Sequence, residues 1–364
     1  MVIWGRGIRG MAYQLTIDPI GETIGVEEGQ TLLDAALRAG VYLPHACGHG
    51  LCGTCKVRVL DGEIEHGEAS PFALMDMERE DGQCLACCAR ALGDVTIEAD
   101  IEEEPDAHHY PVRDFVGVVS KIDRLTPRIK SIFLAIENGG IKFQAGHYIN
   151  LLIPGLEDAP RAFSIASPPS EQHLIELNVA LVEGGKGTHW LHEHLKVGDE
   201  IRFTGPYGRF FVRESAREPM IFLAGGSGLS SPKSMLLHLF EQGEARPVTF
   251  IYGARNQAEL YYRELFEQLA AEHSNFTYLP VLSAEPDDSG WQGLRGFVHE
   301  AAKTHFGGKF AGHKAYMCGP PAMVDACITT LMQGRLFERD MYMENFYTQD
   351  SRNAAPKSPL FKHI

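Results

Sequence analysis

The pattern of apolar and polar positions divides the chain into blocks of different period. In the first block, alternation at residues 13–18 and 23–26 predicts a pair of strands. Helical spacing follows at residues 29–40, and further alternation at 56–60 and 95–97 predicts two more strands. The block therefore indicates a small α+β unit, which ends in an acidic stretch with a proline.

Two later blocks differ from the first and from each other. Residues 112–213 contain short strand patterns separated by glycine and proline, which predict a small antiparallel barrel. Beyond Pro219, continuous apolar strands alternate with helices, which predicts a parallel sheet covered on both faces. The expected fold class is multidomain, α+β and α/β, with domains at 12–103, 112–213 and 214–350. The polar tail 351–364 is expected to be poorly ordered.

Charge is unevenly distributed between these blocks. The net charge is −15, and residues 12–103 hold 18 acidic and 5 basic residues. This excess argues against nucleic-acid binding, since phosphate contacts need clustered Lys and Arg. The acidic segment is either a solvated face or a surface that attracts a basic protein partner. The chain has no apolar run of about 18 residues and no secretory pattern in its first ten, which predicts a cytoplasmic protein without membrane spans.

Six of the eight cysteines lie between Cys47 and Cys88. Such clustering in a reducing compartment indicates metal binding rather than disulfides. Cys47, Cys52 and Cys55 have the C-x4-C-x2-C spacing of plant-type [2Fe–2S] ligation, and the glycines between them let the main chain wrap a cluster. A fourth thiolate must come from the group Cys84, Cys87 and Cys88.

Three other interpretations of these cysteines compete with the cluster. A zinc site could use two Cys-x2-Cys pairs, but the 28-residue gap between them is long and Cys47 would have no role. Residues 47–49 match half of a Rieske motif, but no second Cys-x-x-His pair completes it. Buried free thiols would not explain three cysteines within nine residues among glycines.

Glycine-rich segments in the later blocks indicate phosphate sites. Residues 184–188 precede a helical pattern, although a glycine-rich hairpin is the simpler explanation of that segment alone. Gly225-Gly226-Ser227-Gly228 lies between a buried strand and a helix, which is the context that a pyrophosphate loop requires. Cys318-Gly319-Pro320-Pro321 follows another apolar strand.

Residues 12–103 resemble plant-type ferredoxins throughout their length, which implies a β-grasp-like fold for this domain. The stretch Leu85-Ala86-Cys87-Cys88 stands where that family has Leu-x-Cys before its final strand. The resemblance implies that Cys47, Cys52, Cys55 and Cys87 hold the iron, with Cys88 as the main competitor for the fourth position.

The segment Arg161-Ala162-Phe163-Ser164, the glycine-rich stretch and Gly205–Gly208 together resemble the ferredoxin–NADP reductase superfamily. The resemblance implies that Arg161 pairs with the FAD pyrophosphate, that Phe163 packs on the flavin ring and that Ser164 bonds near its N5. It also implies main-chain phosphate contacts from Gly185, Lys186, Gly187 and Thr188. Val179 and Leu181 are implied to border the flavin.

The same resemblance extends to the nicotinamide segment. It implies that Gly225, Gly226 and Gly228 hold pyrophosphate and that Cys318, Gly319 and Pro320 border the nicotinamide. Glu344-Asn345-Phe346 resembles the C-terminal segment that faces the flavin, with Phe346 covering the ring and Glu344 bonded to Ser164. Gly253-Ala254-Arg255 shows no basic cluster for a 2′-phosphate, which favours NADH, although Arg255 leaves NADPH open.

The order of the three domains resembles the reductase components of soluble multicomponent bacterial oxygenases, phenol hydroxylase reductases among them. That resemblance implies electron flow from NADH through FAD and [2Fe–2S] to a di-iron oxygenase docked at the acidic ferredoxin domain. Ser164, Cys318, Glu344 and Phe346 are then the candidate catalytic residues. A Rieske dioxygenase or another hydrocarbon monooxygenase is the alternative acceptor. A redox-sensing or zinc-stabilised binding protein without turnover is the alternative outside electron transfer.

Overall fold

A computed structural model describes residues 11–46, 48–101, 104–137, 139–157 and 159–346. The expectations for Cys47 and for the tail 351–364 therefore lie outside the described residues. The chain divides into two compact units, one extending to Arg113 and the other beginning at Asp114. The predicted division into three domains is not decided by this partition and stays a prediction.

The first unit is a five-stranded sheet with one long helix and an additional two-stranded sheet. The main sheet has the order β2-β1-β7-β3-β5, with β1 antiparallel to β2 and parallel to β7. Its elements are β1 (Met11–Asp18), β2 (Glu22–Glu27), α1 (Leu32–Ala39), β3 (Lys56–Asp61), β4 (Ile64–Glu65), α2 (Asp76–Glu80), β5 (Gln83–Leu85), β6 (Arg90–Ala91) and β7 (Val95–Glu98). This is the β-grasp-like arrangement expected for the first block.

Helix α1 begins and ends where its sequence requires. Thr31 Oγ1 accepts a hydrogen bond from the Asp34 amide at 3.2 Å, which caps the first turn. Gly40 ends the helix in the left-handed region at φ 83°, where a side chain would be strained. The apolar side of α1 lies in the same buried core as Cys84 and Cys87.

The second unit starts with a six-stranded antiparallel sheet in the order β11-β10-β13-β8-β9-β12. An isolated bridge between Ile165 and Leu177 joins the ends of the two edge strands, so the sheet is nearly closed into the predicted barrel. Its elements are β8 (Arg113–Arg124), β9 (Ile129–Ile136), β10 (Tyr148–Leu152), β11 (Arg161–Ser164), β12 (Leu174–Ala180), α3 (Lys186–Glu193) and β13 (Glu200–Tyr207).

A six-stranded parallel sheet completes the second unit, in the order β17-β16-β15-β14-β18-β19. Central strand β14 is buried at every position, as its continuous apolar sequence predicts. The elements are β14 (Met220–Gly225), α4 (Ser230–Glu241), β15 (Val248–Ala254), α5 (Arg263–Glu272), β16 (Phe276–Leu282), β17 (Leu294–Arg295), α6 (Val298–His305), β18 (Lys314–Gly319), α7 (Pro321–Gln333) and β19 (Met341–Asn345), with 3-10 turns at Gly226–Leu229, Gln257–Glu259 and Glu338–Asp340.

The strand order reverses between β14 and β18, because the chain after β14 goes first to one side of the sheet and later to the other. Ligands of open parallel sheets bind in the crevice at such a switch point, outside the carboxyl ends of the strands. The two glycine-containing turns after β14 and β18 lie at this edge.

One predicted helix begins later than its pattern indicates. The sequence predicts a helix over 259–271, whereas α5 starts at Arg263 after a 3-10 turn that Asn256 caps. Tyr262 separates the two with φ 56°, a conformation uncommon for a residue other than glycine. No helix in the described part of the chain is both long and apolar enough to cross a bilayer.

Candidate functional site

The ends of three strands and one helix meet at the carboxyl group of Glu344. Ser164 at the end of β11 donates to Glu344 Oε2 at 3.1 Å, and Ser231 in the first turn of α4 donates to the same oxygen at 2.6 Å. Cys318 on β18 pairs in register with Glu344 on β19, and its thiol donates to that oxygen at 3.6 Å. The hydrogen bond expected between Ser164 and Glu344 is therefore present.

Burial shifts the titration of both acidic groups in this cluster, Glu344 and Cys318, toward their protonated forms. Removal from water raises the pKa of Glu344, and the hydrogen bonds from Ser231, Ser164 and Cys318 oppose that rise. Burial, reinforced by the nearby Glu344 carboxylate, raises the pKa of Cys318 well above its ordinary value. The arrangement can hold and exchange a proton at Glu344 while Cys318 remains a neutral thiol.

The turn after β14 is open on one side and tightly packed on the other. Gly226 has φ 55°, and a side-chain carbon placed on it would meet nothing within 4 Å, so this position faces open space. At Gly228 such a carbon would lie 2.3 Å from the carbonyl oxygen of Cys318, so only glycine lets the turn pack on β18. Tyr252 and Tyr261 donate to the Gly226 carbonyl oxygen at 3.3 and 3.1 Å, which fixes the turn from behind.

The turn after β18 presents the second helix start at this edge. Pro320 is the N-cap of α7, Pro321 carries no N–H, and the Met323 amide donates to the Pro320 carbonyl at 2.9 Å, so only the Ala322 amide of this first turn could serve an anion. The Phe346 amide donates to the Gly319 carbonyl oxygen at 3.1 Å, and its half-buried ring packs against the neighbouring apolar core. A dinucleotide that binds along the β14–β18 crevice would therefore meet Gly226, Cys318 and Phe346.

Arg161 and the start of α3 lie together on the barrel, as the flavin expectation requires. A side-chain carbon on Gly187 would lie 3.2 Å from Arg161 Cγ and 2.9 Å from Ile153 Cδ1, so the helix start needs glycine for this approach. Gly185 is the N-cap of α3 and provides no side-chain cap. A guanidinium beside uncapped amides fits a pyrophosphate.

The other expected flavin residues occupy different environments. Phe163 is half-buried against the barrel core. The Leu181 amide donates to the Arg128 carbonyl at 2.7 Å, and the Arg128 guanidinium donates to the Leu181 carbonyl at 3.3 Å. Val179 is fully buried within that core. The Thr188 hydroxyl stays within its own turn, accepting from the Val182 amide at 3.1 Å and donating to the Gly185 carbonyl at 3.3 Å. The ligand roles of these residues stay predictions.

The cysteine loop of the first unit is built around sulfur. The Gly50 amide donates to Cys87 Sγ at 3.3 Å, and a side-chain carbon on Gly50 would lie 2.7 Å from Cys88 Sγ. A hydrogen bond between the thiols lowers the pKa of Cys55 and raises that of Cys87, so these two sulfurs are neighbours. Amides aimed at sulfur and a backbone without Cβ atoms fit an iron–sulfur cluster.

The choice of the fourth ligand also has a geometric side. Cys88 Sγ lies 3.6 Å from Cys87 Sγ and donates to the Glu68 carbonyl at 3.3 Å, while Cys84 is fully buried in the core. Within the described ranges, which omit Cys47, no three His, Cys, Asp or Glu side chains are arranged to hold a metal ion. The assignment of Cys47, Cys52, Cys55 and Cys87 stays a prediction.

Sequence reasoning missed Ser231, Tyr252 and Tyr261. Ser231 looks like one more serine in a polar helix start, and the two tyrosines look like core aromatics. Only their contacts with Glu344 and Gly226 distinguish them. Arg255, left open as a nucleotide ligand, forms an ion pair with Glu259 one helical turn away at 2.9 Å.

Three family models match successive parts of the chain. They are a 2Fe-2S iron-sulfur cluster binding domain at residues 15–92, an oxidoreductase FAD-binding domain at 118–212 and an oxidoreductase NAD-binding domain at 222–328. The predicted cofactors, an iron–sulfur cluster, FAD and a nicotinamide dinucleotide, are thereby confirmed.

Characterised relatives match the chain over nearly its whole length. The phenol 2-monooxygenase reductase component DmpP of Pseudomonas sp. (strain CF600) is 58% identical over 97% of this chain and 100% of its own. The phenol hydroxylase P5 protein of Acinetobacter pittii (strain PHEA-2) is 54% identical over the same shares. The crystal structure of the Amycolatopsis reductase GcoB covers 92% of this chain and 98% of its own at 34% identity, with a TM-score of 0.83. The predicted fold class is confirmed by this likeness.

Proposed function

The chain belongs to the ferredoxin–NADP reductase superfamily, among the oxygenase reductases with an N-terminal iron–sulfur domain, and we propose that it is the NADH-dependent reductase component of a phenol hydroxylase. The observation that carries the redox part is the convergence of Ser164, Ser231 and Cys318 on Glu344 beside the glycine turn of the parallel sheet. The choice of phenol hydroxylase rests on the two relatives above.

When bound, FAD accepts two electrons from NADH and releases them singly, and a plant-type [2Fe–2S] cluster carries one electron at a time toward the oxygenase. The residues of the chain bind and orient. Gly226 and the start of α7 would hold the pyrophosphate of the nicotinamide dinucleotide, Arg161 and the start of α3 would hold that of FAD, and Cys318 would border the nicotinamide.

Glu344 and its partners supply the proton control that this reaction needs. The Ser164 hydroxyl donates to Glu344 Oε2, which would hold it in place, and the raised pKa of Glu344 favours a proton there. The half-buried ring of Phe346 packs against the core cluster that contains Cys318, where it would cover the same place and exclude water from it. NADH is favoured over NADPH because the Arg255 guanidinium is already engaged by Glu259.

The oxygenase is proposed to dock on the first unit beside the cysteine loop. The Ser70 amide donates to the Gly50 carbonyl at 2.9 Å, which ties the segment 70–77 to that loop. This segment carries large apolar side chains in water, with Phe72 97% and Met77 66% exposed. Acidic side chains surround them in a unit with a strong negative excess, so the matching oxygenase surface would be an apolar recess with basic residues at its rim.

The cytoplasm is the proposed location. None of the seven described cysteines forms a disulfide, including Cys84, Cys87 and Cys88 within one short segment. Clustered cysteines that would bind a metal rather than pair with one another are typical of a reducing compartment.

The main test is reduction of artificial acceptors by NADH with the purified, cofactor-loaded protein. We expect ferricyanide and cytochrome c to be reduced, and NADPH to serve at least about tenfold less well than NADH. Cys52→Ser is expected to abolish the iron–sulfur spectrum and cytochrome c reduction while ferricyanide is still reduced. Absence of NADH-driven reduction in the parent protein would refute the proposal.

Reconstitution with purified oxygenases tests the partner. Phe72→Ala is expected to lower the hydroxylation rate at limiting phenol hydroxylase oxygenase about tenfold or more, without changing ferricyanide reduction. Phe337→Ala removes a comparably large exposed ring from the other unit and is the control, expected to behave as the parent. Turnover with a Rieske dioxygenase but not with a phenol hydroxylase would replace the proposed partner by the alternative.

A further inference from the structure

A buried ion pair joins the barrel to the nucleotide-binding sheet within the second unit. Lys233 on α4 donates to Glu176 Oε2 on β12 at 2.7 Å, and their side chains are only 6% and 5% exposed. Lys233 Nζ also donates to the Ala166 carbonyl at 3.1 Å, on the segment that follows β11. The ammonium group thus contacts two different segments of the barrel.

The second carboxylate oxygen of Glu176 is also occupied. Ser131 on β9 donates to Glu176 Oε1 at 2.9 Å, and the Tyr262 hydroxyl donates to the same oxygen. The ring of Tyr262 lies 4.8 Å from Lys233 Nζ. This tyrosine is the residue with φ 56° before α5, so its unusual backbone conformation coincides with its place over the pair.

The next residue of each segment forms a second contact between α4 and the barrel. Ser234 Oγ donates to the Ser167 carbonyl at 2.7 Å, and the Glu176 amide donates to Ser167 Oγ at 3.1 Å. Three polar bonds thereby hold the first turns of α4 against the barrel, two on the segment after β11 and one on β12, and the Glu176–Ser167 bond joins those two parts of the barrel. Both contact serines, Ser167 and Ser234, are buried.

Stability alone does not account for a pair of this kind. Removing two charges from water costs about as much as their attraction returns, and apolar residues of similar size often stabilise a fold equally well or better. What an ion pair with fixed hydrogen bonds supplies is a defined relative position of the two elements that carry it.

The position that is fixed here is that of the Glu344 site. Ala166 lies two residues after Ser164, and Lys233 lies two residues after Ser231. Ser164 and Ser231 are the barrel and helix donors to Glu344 Oε2. A shift of α4 along the barrel would therefore separate the two hydroxyls that share this oxygen.

We propose that Lys233 and Glu176 are positioning residues that set α4 and its glycine turn against the barrel, so that the dinucleotide bound on one meets the flavin site on the other. The proposal rests on the proposed oxidoreductase function. It assigns the pair a role in nicotinamide binding and in flavin reduction, in addition to any role in folding.

The test compares the double variant Lys233→Met/Glu176→Leu, which replaces the pair by apolar side chains, with the single variant Lys233→Met. The single variant leaves a buried carboxylate without its cation and is expected to lower the unfolding temperature. The double variant is expected to unfold near the parent temperature and to retain FAD, while its NAD⁺ dissociation constant rises and flavin reduction at saturating NADH slows, each about tenfold. Amide hydrogen exchange at residues 226–234 is expected to accelerate.

A matched control is Arg246→Met/Glu244→Leu, which removes an ion pair of 2.5 Å within the nucleotide half but away from the Glu344 site. It is expected to keep the parent NAD⁺ affinity and reduction rate. A double variant at Lys233 and Glu176 with parent affinity, rate and exchange would overturn the proposal and leave the pair a purely structural feature.

Tyr262→Phe decides the matter if the double variant does not fold. It removes the hydroxyl bond to Glu176 and the long contact of 3.5 Å to Ser131 Oγ, and a severalfold rise in the NAD⁺ dissociation constant at unchanged unfolding temperature is expected. An unchanged constant would overturn the proposal. Since hydrogen exchange needs no turnover, it separates failure of this proposal from failure of the proposed function.

Discussion

Two glutamates at the junction of the barrel and the parallel sheet are satisfied in opposite ways. Glu176 is buried and receives a Lys233 ammonium together with two hydroxyls. The described side chains that donate to half-buried Glu344 are two hydroxyls and a thiol, all uncharged. A carboxylate paired with a cation stays ionised and holds two elements in a fixed relative position. A carboxyl with only neutral donors can take up a proton.

The same junction therefore contains one carboxyl that fixes the position of α4, Glu176, and one that can bind a proton, Glu344. Two short chain segments link the groups that contact the two carboxyls. Ser164 and Ser231 donate to Glu344, and Ala166 and Lys233, each two residues further along the chain, take part in the Glu176 ion-pair network. If the partners of Glu176 and Glu344 were exchanged, neither carboxyl could perform its role. A cation beside Glu344 would hold it ionised, and loss of the cation beside Glu176 would leave a buried charge uncompensated.

The largest effect is expected from removing the Glu344 carboxyl, which eliminates the carboxyl with neutral donors. Glu344→Ala removes the acceptor shared by Ser164, Ser231 and Cys318, and we expect flavin reduction by NADH to slow about 100-fold, within the range of general acid–base effects. Rapid-mixing spectroscopy of the flavin measures this rate. Glu338→Ala, an exposed carboxyl a few residues earlier, is the control with the parent rate. A parent-like rate for Glu344→Ala would remove Glu344 from the mechanism.

Ser231→Ala removes one neutral donor to Glu344 and tests whether that donor sets the pKa of the carboxyl. The hydrogen bond from Ser231 is the main influence that lowers the pKa of Glu344, so its loss should raise that pKa further. We expect about a tenfold slower flavin reduction, equivalent to about 1.4 kcal/mol, and a pH profile displaced to higher pH. Ser230→Ala, whose hydroxyl bonds only to the Ser227 carbonyl in its own turn, should leave rate and profile unchanged.

The smallest expected effect is on the pH dependence of stability. Because the folded state holds the Glu344 proton more tightly than the unfolded chain, this group stabilises the fold most below its ordinary pKa of 4.5. Its contribution is lost as pH rises through the raised pKa. Glu344→Gln cannot ionise, so its free energy of unfolding should fall less between acidic and neutral pH than that of the parent. Denaturant titrations at several pH values measure the two slopes, and identical slopes would contradict the raised pKa.

The sequence predicted the three structural blocks because their periods are local properties. Alternation, continuous apolar strands and glycine turns are all decided within about ten residues, and the structure has each of them. The start of α5 shows the limit of this reasoning. The apolar spacing continues back to Glu259, but Tyr262 leaves helical geometry with its hydroxyl on Glu176, which lies 86 residues away.

The candidate site shows the same division between local pattern and distant contact. Ser164, Cys318 and Glu344 could be nominated because a family motif surrounds each of them. Ser231 and Lys233 have no such motif and look like an ordinary serine and an ordinary surface lysine in a helix start. Their roles depend on the face of α4 that packs on the barrel, which the helix pattern does not specify.

By itself, the sequence determined what neighbouring residues can decide: the cysteines spaced within one loop, the glycines that turn at the carboxyl ends of β14 and β18, and the order of the structural blocks. Tertiary structure alone decided which side chains share a proton and which share a charge. Ser164 reaches Glu344 across 180 residues, and Lys233 reaches Glu176 across 57. The physical reason is that hydrogen bonds and ion pairs depend on distances of about 3 Å in space, and only the packing of sheet, helix and barrel brings such atoms that close.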